Sequence, residues 1–261
     1  MELRKILNNK LFSNGVWLYV LQAFNTIIPL TTLPYITRVL GAEQYGVFSK
    51  LLNIVLYAQA IVEYGFNLTG AKKMAVAQDS KQWNKIFTRV LVSKILLLGI
   101  SLFFIGIFML IYPLSKNELI VFLILLTIIF AETIKQTWIF HGLQEMKFIT
   151  IVTVISRLIS VLLIFLLVKN DDDIYLYSSL YAVTYLLIGI LSSCIVRYKF
   201  KIKLERVNCL EIRQELKEGW YLFTSAASSK IFAGIGITIL TFTVSDTQIG
   251  MYSAIQKIPY M

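Results

Sequence analysis

The sequence predicts an all-α polytopic membrane protein built as two lobes of helices, the first complete and the second cut short. Three observations lead there. Apolar runs of about 20 residues, the length that crosses about 30 Å of hydrocarbon, recur along the whole chain. Charged residues are 15% of the total against 57% hydrophobic, which separates this chain from soluble domains with their roughly 25% charged residues. The cations concentrate in alternate gaps between the runs.

The first run covers 12–36 and follows MELRKILNNK, which has the charge of a signal peptide. It exceeds the about 7 to 15 residues of a cleavable apolar region and lacks a small-residue cleavage site, so it is expected to stay as a signal anchor. Pro29 and Pro34 remove N–H donors in its second half and allow a bend, either a gate or a static kink. The second run, 46–66, has Lys50 and Glu63 toward its ends. Ala75 to Asn84 reads as a short surface segment with Trp83 at the interface, before a third run at 86–111 with Arg89 near its start and Lys94 well inside. In the fourth, 118–139, Glu132 and Lys135 stand three apart and can neutralise each other. Lys50, Arg89 and Lys135 lie near enough to span ends to snorkel into the headgroups.

The fifth run, 148–168, contains VTVISRLISVLLIFLLV with Arg157 near its middle. A cation there costs roughly 2.5 to 3.5 kcal/mol on insertion scales, so it is expected to face a wet cavity or a polar partner. The sixth run is 174–196 and the seventh 220–243, with Lys230 inside it on a different face from Ser225, Ser228 and Ser229. An eighth starts near 248. Continuous apolarity without a period of two makes these helices and not barrel strands.

With the N-terminus inside, the inner segments hold Arg4, Lys5, Lys10, Lys72, Lys73, Lys81, Lys85, Lys147, Arg197, Lys199, Lys201, Lys203, Arg206, Arg213 and Lys217. The outer loops hold Arg38, Lys116 and Lys169, beside the acidic run Asp171, Asp172 and Asp173. Fifteen cations against three is the positive-inside pattern, and it puts the N-terminus in the cytoplasm. The net charge of +10 therefore reports topology and not a nucleic-acid partner.

A shift of 204 residues aligns GVWLYV (15–20) with GWYLFT (219–224), and AEQYGVFSKLLNI (42–54) with DTQIGMYSAIQKI (246–258). Gly15, Gln44, Gly46 and Ser49 then fall on Gly219, Gln248, Gly250 and Ser253. Six spans per copy is an even number, so both copies enter the membrane in the same direction, as parallel lobes around a central site. The lobes divide as 1–210 and 211–261, and two full copies at this period need roughly 400 residues, so the chain reads as a fragment.

No GxSxG, Walker or HExxH pattern is present, and Cys194, Cys209 and the single His141 cannot form a structural zinc site. His141 reads as a loop residue at the membrane face, and Cys194 and Cys209 as reduced thiols on the cytoplasmic side. No enzyme activity, cofactor or metal is expected.

The stretches NTIIPLTTLPYITRVLGAEQYGVFSK (25–50), EYGFNLTGAKKMA (63–75) and WIFHGLQEMKFIT (138–150) resemble the polysaccharide-export flippases. These are the O-antigen and capsular repeat-unit carriers of the multidrug, oligosaccharidyl-lipid and polysaccharide exporter superfamily. The resemblance covers nearly the whole chain. It implies a multidrug-exporter-like, two-lobe bundle of twelve or more helices in the bacterial inner membrane. Such a carrier turns an undecaprenyl-pyrophosphate-linked oligosaccharide from the cytoplasmic to the periplasmic leaflet, with a polysaccharide polymerase and a chain-length regulator as partners. Where members of the family often carry an acidic residue, this chain has Gln144.

Polar residues on single helix faces point to a lumen independently. Thr153, Ser156, Arg157 and Ser160 form one stripe, and Gln22, Asn25, Pro29 and Thr32 another. Each stripe lines a cavity or glues helices together. Lys94, Arg157 and Lys230 are the expected substrate cations, with Gln22, Asn25, Ser156 and Ser160 beside them, because phosphate oxygens accept charge-assisted hydrogen bonds. Glu63 and Glu132 are the candidates for coupling to a proton or sodium gradient. A multidrug or cation antiporter would want acidic groups in the first span, which has none, and a membrane sugar polymerase would need larger outer loops. Reporter fusions test the topology: those after Lys81 and Lys203 are expected to read cytoplasmic and those after Lys116 and Asp172 periplasmic, while a periplasmic signal at Lys203 contradicts the six-span repeat.

Overall fold

The computed structural model describes residues 10–257, so the expected anchor signal in MELRKILNNK lies, but for Lys10, outside the described residues. Within them the chain forms ten α-helices: α1 (Lys10–Val39), α2 (Gly41–Glu63), α3 (Phe66–Val76), α4 (Ser80–Ile111), α5 (Lys116–Ile134), α6 (Thr137–Gly142), α7 (Met146–Leu167), α8 (Ile174–Tyr198), α9 (Cys209–Thr241) and α10 (Asp246–Lys257). A 3-10 turn at Asp171–Asp173 precedes α8. Among the described residues, seven segments are long and apolar enough to cross a membrane: Phe12–Val39, Gly41–Val76, Ser80–Ile111, Lys116–Gly142, Met146–Leu167, Asp171–Tyr198 and Cys209–Thr241. They coincide with the seven apolar runs, and the protein is an all-α, multi-pass membrane protein.

Local chemistry explains the helix ends. Asp79 opens α4 by accepting from the Gln82 N–H at 2.7 Å. Ser115 and Glu118 form a reciprocal capping box at the start of α5, satisfying two amide donors that the helix itself leaves unpaired. In α1 the prolines do not interrupt the helix, and the hydroxyls of Thr31, Thr32 and Thr37 turn back onto carbonyls of the preceding turn.

Three details differ from the expectation. The second span is broken after Glu63, because Tyr64 (φ 46°) and Gly65 (φ 73°) both take the left-handed conformation and redirect the chain from α2 into α3. Tyr64 bears a cost of roughly 1 to 2 kcal/mol there, and its side chain is held by the Leu216 carbonyl (3.1 Å) and a stacked Phe223 ring (4.5 Å). His141 is not in a loop: it belongs to the short helix α6 and is half-buried. Trp83 sits in the first turn of α4, half-buried against the core.

The helix α2 is the hub, in contact with α1, α4, α5, α8, α9 and α10. Its buried residues include Tyr45, Phe48, Leu51, Leu52 and Val55, which pack with Phe122, Leu125 and Ile129 of α5. The expected motifs meet through small residues. A Cβ on Gly70 would come within 2.7 Å of the Trp138 ring, and one on Gly142 within 2.6 Å of the Ala71 carbonyl, so α3 and α6 lie together. At the crossing of α2 and α10 the approach is closer still: a Cβ on Gly46 would sit 1.8 Å from the Asp246 carbonyl oxygen, and one on Gly250 1.9 Å from that of Ala42.

These last two contacts exchange under the 204-residue shift, and the equivalent Ser49 and Ser253 hydrogen-bond to each other at 3.0 Å. The crossing is thus locally two-fold, with matched residues of the two aligned segments facing one another. Gly46→Ala should force the helices apart at a cost of about 1 to 3 kcal/mol, lowering the unfolding temperature in detergent. Gly99→Ala, whose Cβ meets nothing within 4 Å, should be neutral or slightly stabilising. Equal melting of the two variants contradicts the close crossing.

Candidate functional site: a cation-bearing cavity between α1, α7 and α8

Arg157 rises from the middle of α7 toward α1, where its Nη1 donates to Asn25 Oδ1 at 2.6 Å. The two polar stripes therefore meet, and Asn25 is the polar partner that the central arginine required. A guanidinium has five donors, and the rest of this one lines a cavity of about 290 Å³. From α1 the wall takes Asn25, Pro29 and Thr32; from α7 Arg157 and Ser160; from α8 Tyr177, Tyr181, Thr184 and Tyr185; from α2 Tyr45; and from α10 Lys257. Lys257 donates to the Tyr45 hydroxyl at 2.7 Å. Among the described residues the wall carries two cations and no carboxylate, a composition that attracts anions and repels cations.

The other expected site residues are placed differently. Ser160 lines the cavity and also donates to the Leu180 carbonyl at 3.0 Å, so it tethers α7 to α8. Ser156 is wholly buried between helices. Gln22 is exposed and does not reach the cavity wall. Lys230 is exposed on α9, where Glu215, Gly219 and Gly234 are the buried residues.

Lys94 is buried away from Arg157, 3.5 Å from Glu132, with its ammonium donating to the carbonyls of Glu132 (2.9 Å) and Lys135 (3.1 Å). It thereby caps the C-terminal end of α5. Glu132 also accepts from Lys135 at 2.5 Å and from Gln59 at 2.8 Å, while Glu63 accepts from Asn67 at 2.5 Å. Snorkelling, expected of Lys50, Arg89 and Lys135, is replaced by carboxylate pairing. Lys50 meets Glu118 (2.5 Å) and Asp246 (2.6 Å), and Arg89 meets Glu211. Buried helix contacts offer these cations a nearer counter-charge than the headgroups do.

Sequence reading overlooked the tyrosines and Lys257. Tyr177, Tyr181 and Tyr185 recur at i, i+4 and i+8, a stripe visible in the sequence but hidden by the general abundance of aromatics. The hydroxyls of Tyr181 and Tyr185 lie 3.3 Å apart. Lys257 had a fainter signal, as the 204-residue counterpart of Asn53, itself a buried polar residue within a span.

Fold and cavity together define a multi-pass helical membrane protein with an anion-attracting chamber inside the bundle. The profile of the polysaccharide biosynthesis protein family matches residues 11–261, and the chain belongs to that family. It is 31% identical over 246 residues to the "Putative O-antigen transporter" of Escherichia coli (strain K12), covering 94% of this chain and 59% of that protein. It is 30% identical over 248 residues to the protein of the same name from Shigella dysenteriae, covering 94% and 62%. The chain thus spans about three-fifths of the length of these relatives. No solved structure matches it.

Removing the carboxylate of Glu132 should expose what that cluster does. Glu132→Ala leaves the buried Lys94 and the half-buried Lys135 without their shared partner and should destabilise the protein by about 3 to 5 kcal/mol, read as a lower unfolding temperature in detergent. Adding Lys94→Met should recover part of the loss, and wild-type melting of Glu132→Ala would show that the cluster holds nothing together.

Proposed function

We propose that the protein is a carrier that moves undecaprenyl-pyrophosphate-linked oligosaccharide repeat units from the cytoplasmic to the periplasmic leaflet of the bacterial inner membrane. The observation that carries this reading is the cavity wall with Arg157 and Lys257 and no carboxylate among the described residues. A diphosphate brings negative charge and acceptor oxygens, and a guanidinium fork already oriented by Asn25 suits them. The tyrosines supply hydroxyls and apolar ring faces for the attached sugars. The names of the two relatives support O-antigen export as the process.

The same composition disfavours a cation antiporter, which needs an acidic group where its cargo binds. Glu63 and Glu132 lie elsewhere, in the ion-paired and hydrogen-bonded cluster near the ends of α2 and α5. The reading places the N-terminus, the turns at 77–79 and 143–145 with the cations Lys72, Lys73, Lys81, Lys85 and Lys147 on the helix ends beside them, and the basic loop at 199–208 in the cytoplasm, following the positive-inside asymmetry. The acidic end, with the turns at 112–115, 168–173 and 242–245, then faces the periplasm. It also assigns Arg157, Asn25 and Ser160 to the substrate, adds Lys257, and takes a polymerase and a chain-length regulator as downstream partners.

Arg157→Ala should keep normal membrane levels yet reduce surface polysaccharide, with a loss of about 1.5 to 3 kcal/mol of interaction, on the order of tenfold to a hundredfold. Arg157→Lys should recover export in part, since it keeps the charge and loses the planar fork. Normal export by Arg157→Ala contradicts the assignment.

A further inference from the structure

At the acidic end of the α2–α10 crossing a lysine is shared between two carboxylates of different standing. Lys50 is 4% exposed, and its ammonium lies 2.5 Å from Glu118 of α5 and 2.6 Å from Asp246 at the start of α10. Glu118 is fixed twice. One oxygen contacts Lys50, while the other accepts the Ser115 N–H at 2.8 Å in the α5 capping box. Asp246 is the looser partner: its side chain is 29% exposed, and a polar cavity of about 250 Å³ opens beside it, lined also by Glu43, Asn117 and Asp172.

The local two-fold gives this arrangement its meaning. Gly46 with Gly250, Ala42 with Asp246, and Ser49 with Ser253 are paired by the 204-residue shift. An ion pair built symmetrically about the same axis would be repeated by the counterparts of Lys50 and Asp246. Those counterparts are Ala254 and Ala42, which carry no charge. The crossing is therefore closed by backbone packing on both sides of the axis, by an ion pair on one side only, and on the other side by the hydrogen bond of Lys257 to the neutral Tyr45 hydroxyl.

We propose that Lys50 is a one-sided latch of this seam, resting on the carrier reading above: it holds α10 through Asp246 and keeps Glu118 as a standing counter-ion when the seam parts. A lysine with a single partner across the seam would be stranded in low dielectric on opening, and the transition would be blocked. With Glu118 always in place, parting breaks one charge-assisted contact, and the freed Asp246 turns to the water of the adjoining polar cavity. The latch thus favours the closed seam without forbidding its opening. The three residues have separable roles: Lys50 bridges, Asp246 releases and Glu118 retains.

Accessibility of a thiol in the seam tests this in the full-length protein. With Cys194→Ser and Cys209→Ser as background, Ser49→Cys places a single thiol at the crossing, and a membrane-impermeant maleimide is added to spheroplasts. Asp246→Asn should raise its labelling rate on the order of tenfold, as expected for one lost charge-assisted contact, and Lys50→Met should do the same. The combination Lys50→Glu, Asp246→Lys and Glu118→Gln, which reverses the bridge and removes the repulsion, should return labelling toward the starting rate. Unchanged labelling in Asp246→Asn and Lys50→Met overturns the latch, and so does fast labelling that the reversed bridge fails to slow. Labelling scores the latch and repeat-unit export scores the carrier, so failure of either is seen apart from the other.

Discussion

A charge inside hydrocarbon must find a partner or water, and that requirement organises most of this bundle. Lipid offers neither, so the cations within the spans, the exposed Lys230 excepted, are drawn to a carboxylate, a carbonyl, an amide or a cavity. Lys50 finds Glu118 and Asp246; Lys94 finds Glu132 and two carbonyls; Arg89 finds Glu211; Arg157 finds Asn25. At the basic end, Lys73 joins Glu215 and Glu218 of α9 at 2.7 Å each. These links run between helices far apart in sequence, so they fix the packing of α2, α4, α5 and α9 as well as neutralising charge. What separates Arg157 from the others is that its hydrogen-bond partner, Asn25, is neutral. The cation keeps its charge for the cavity.

Small residues supply the second organising element. Gly46 and Gly250 let α2 and α10 touch backbone to backbone, and Gly70 and Gly142 let α3 and α6 close up, the first against the Trp138 ring and the second against the Ala71 carbonyl. Three stretches that mark the family in sequence contain Gly46, Gly70, Trp138 and Gly142, so much of what is recognisable in them is helix packing. The same first stretch also holds Asn25 and Pro29 of the cavity wall. Packing and site are thus encoded side by side along α1 and α2.

Span positions were legible because membrane thickness dictates length, and apolar runs report it directly. The break at Tyr64 and Gly65 was not, since no proline marks it and the left-handed turn is stabilised by Leu216 and Phe223 from a distant helix. The meeting of Arg157 with Asn25 was half legible: each stripe could be drawn on its own helix, but which helices adjoin is a tertiary fact. Lys94 and Lys230 show the limit of reading depth alone. Both lie well inside their spans, yet one is sealed in an ion pair and the other is exposed, because a helical position names a depth and not a direction around the bundle.

The central claim is that the chamber walled by Arg157 and Lys257 selects a lipid-linked diphosphate. Equilibrium binding of undecaprenyl diphosphate to the full-length protein in nanodiscs tests it most directly, with a lipophilic cation of similar size as competitor. The account predicts that the diphosphate binds, that replacing Arg157 and Lys257 together by Gln weakens it by more than either alone, and that the cation does not compete. Wild-type affinity in the doubly neutralised protein, or displacement of the diphosphate by the cation, would contradict it.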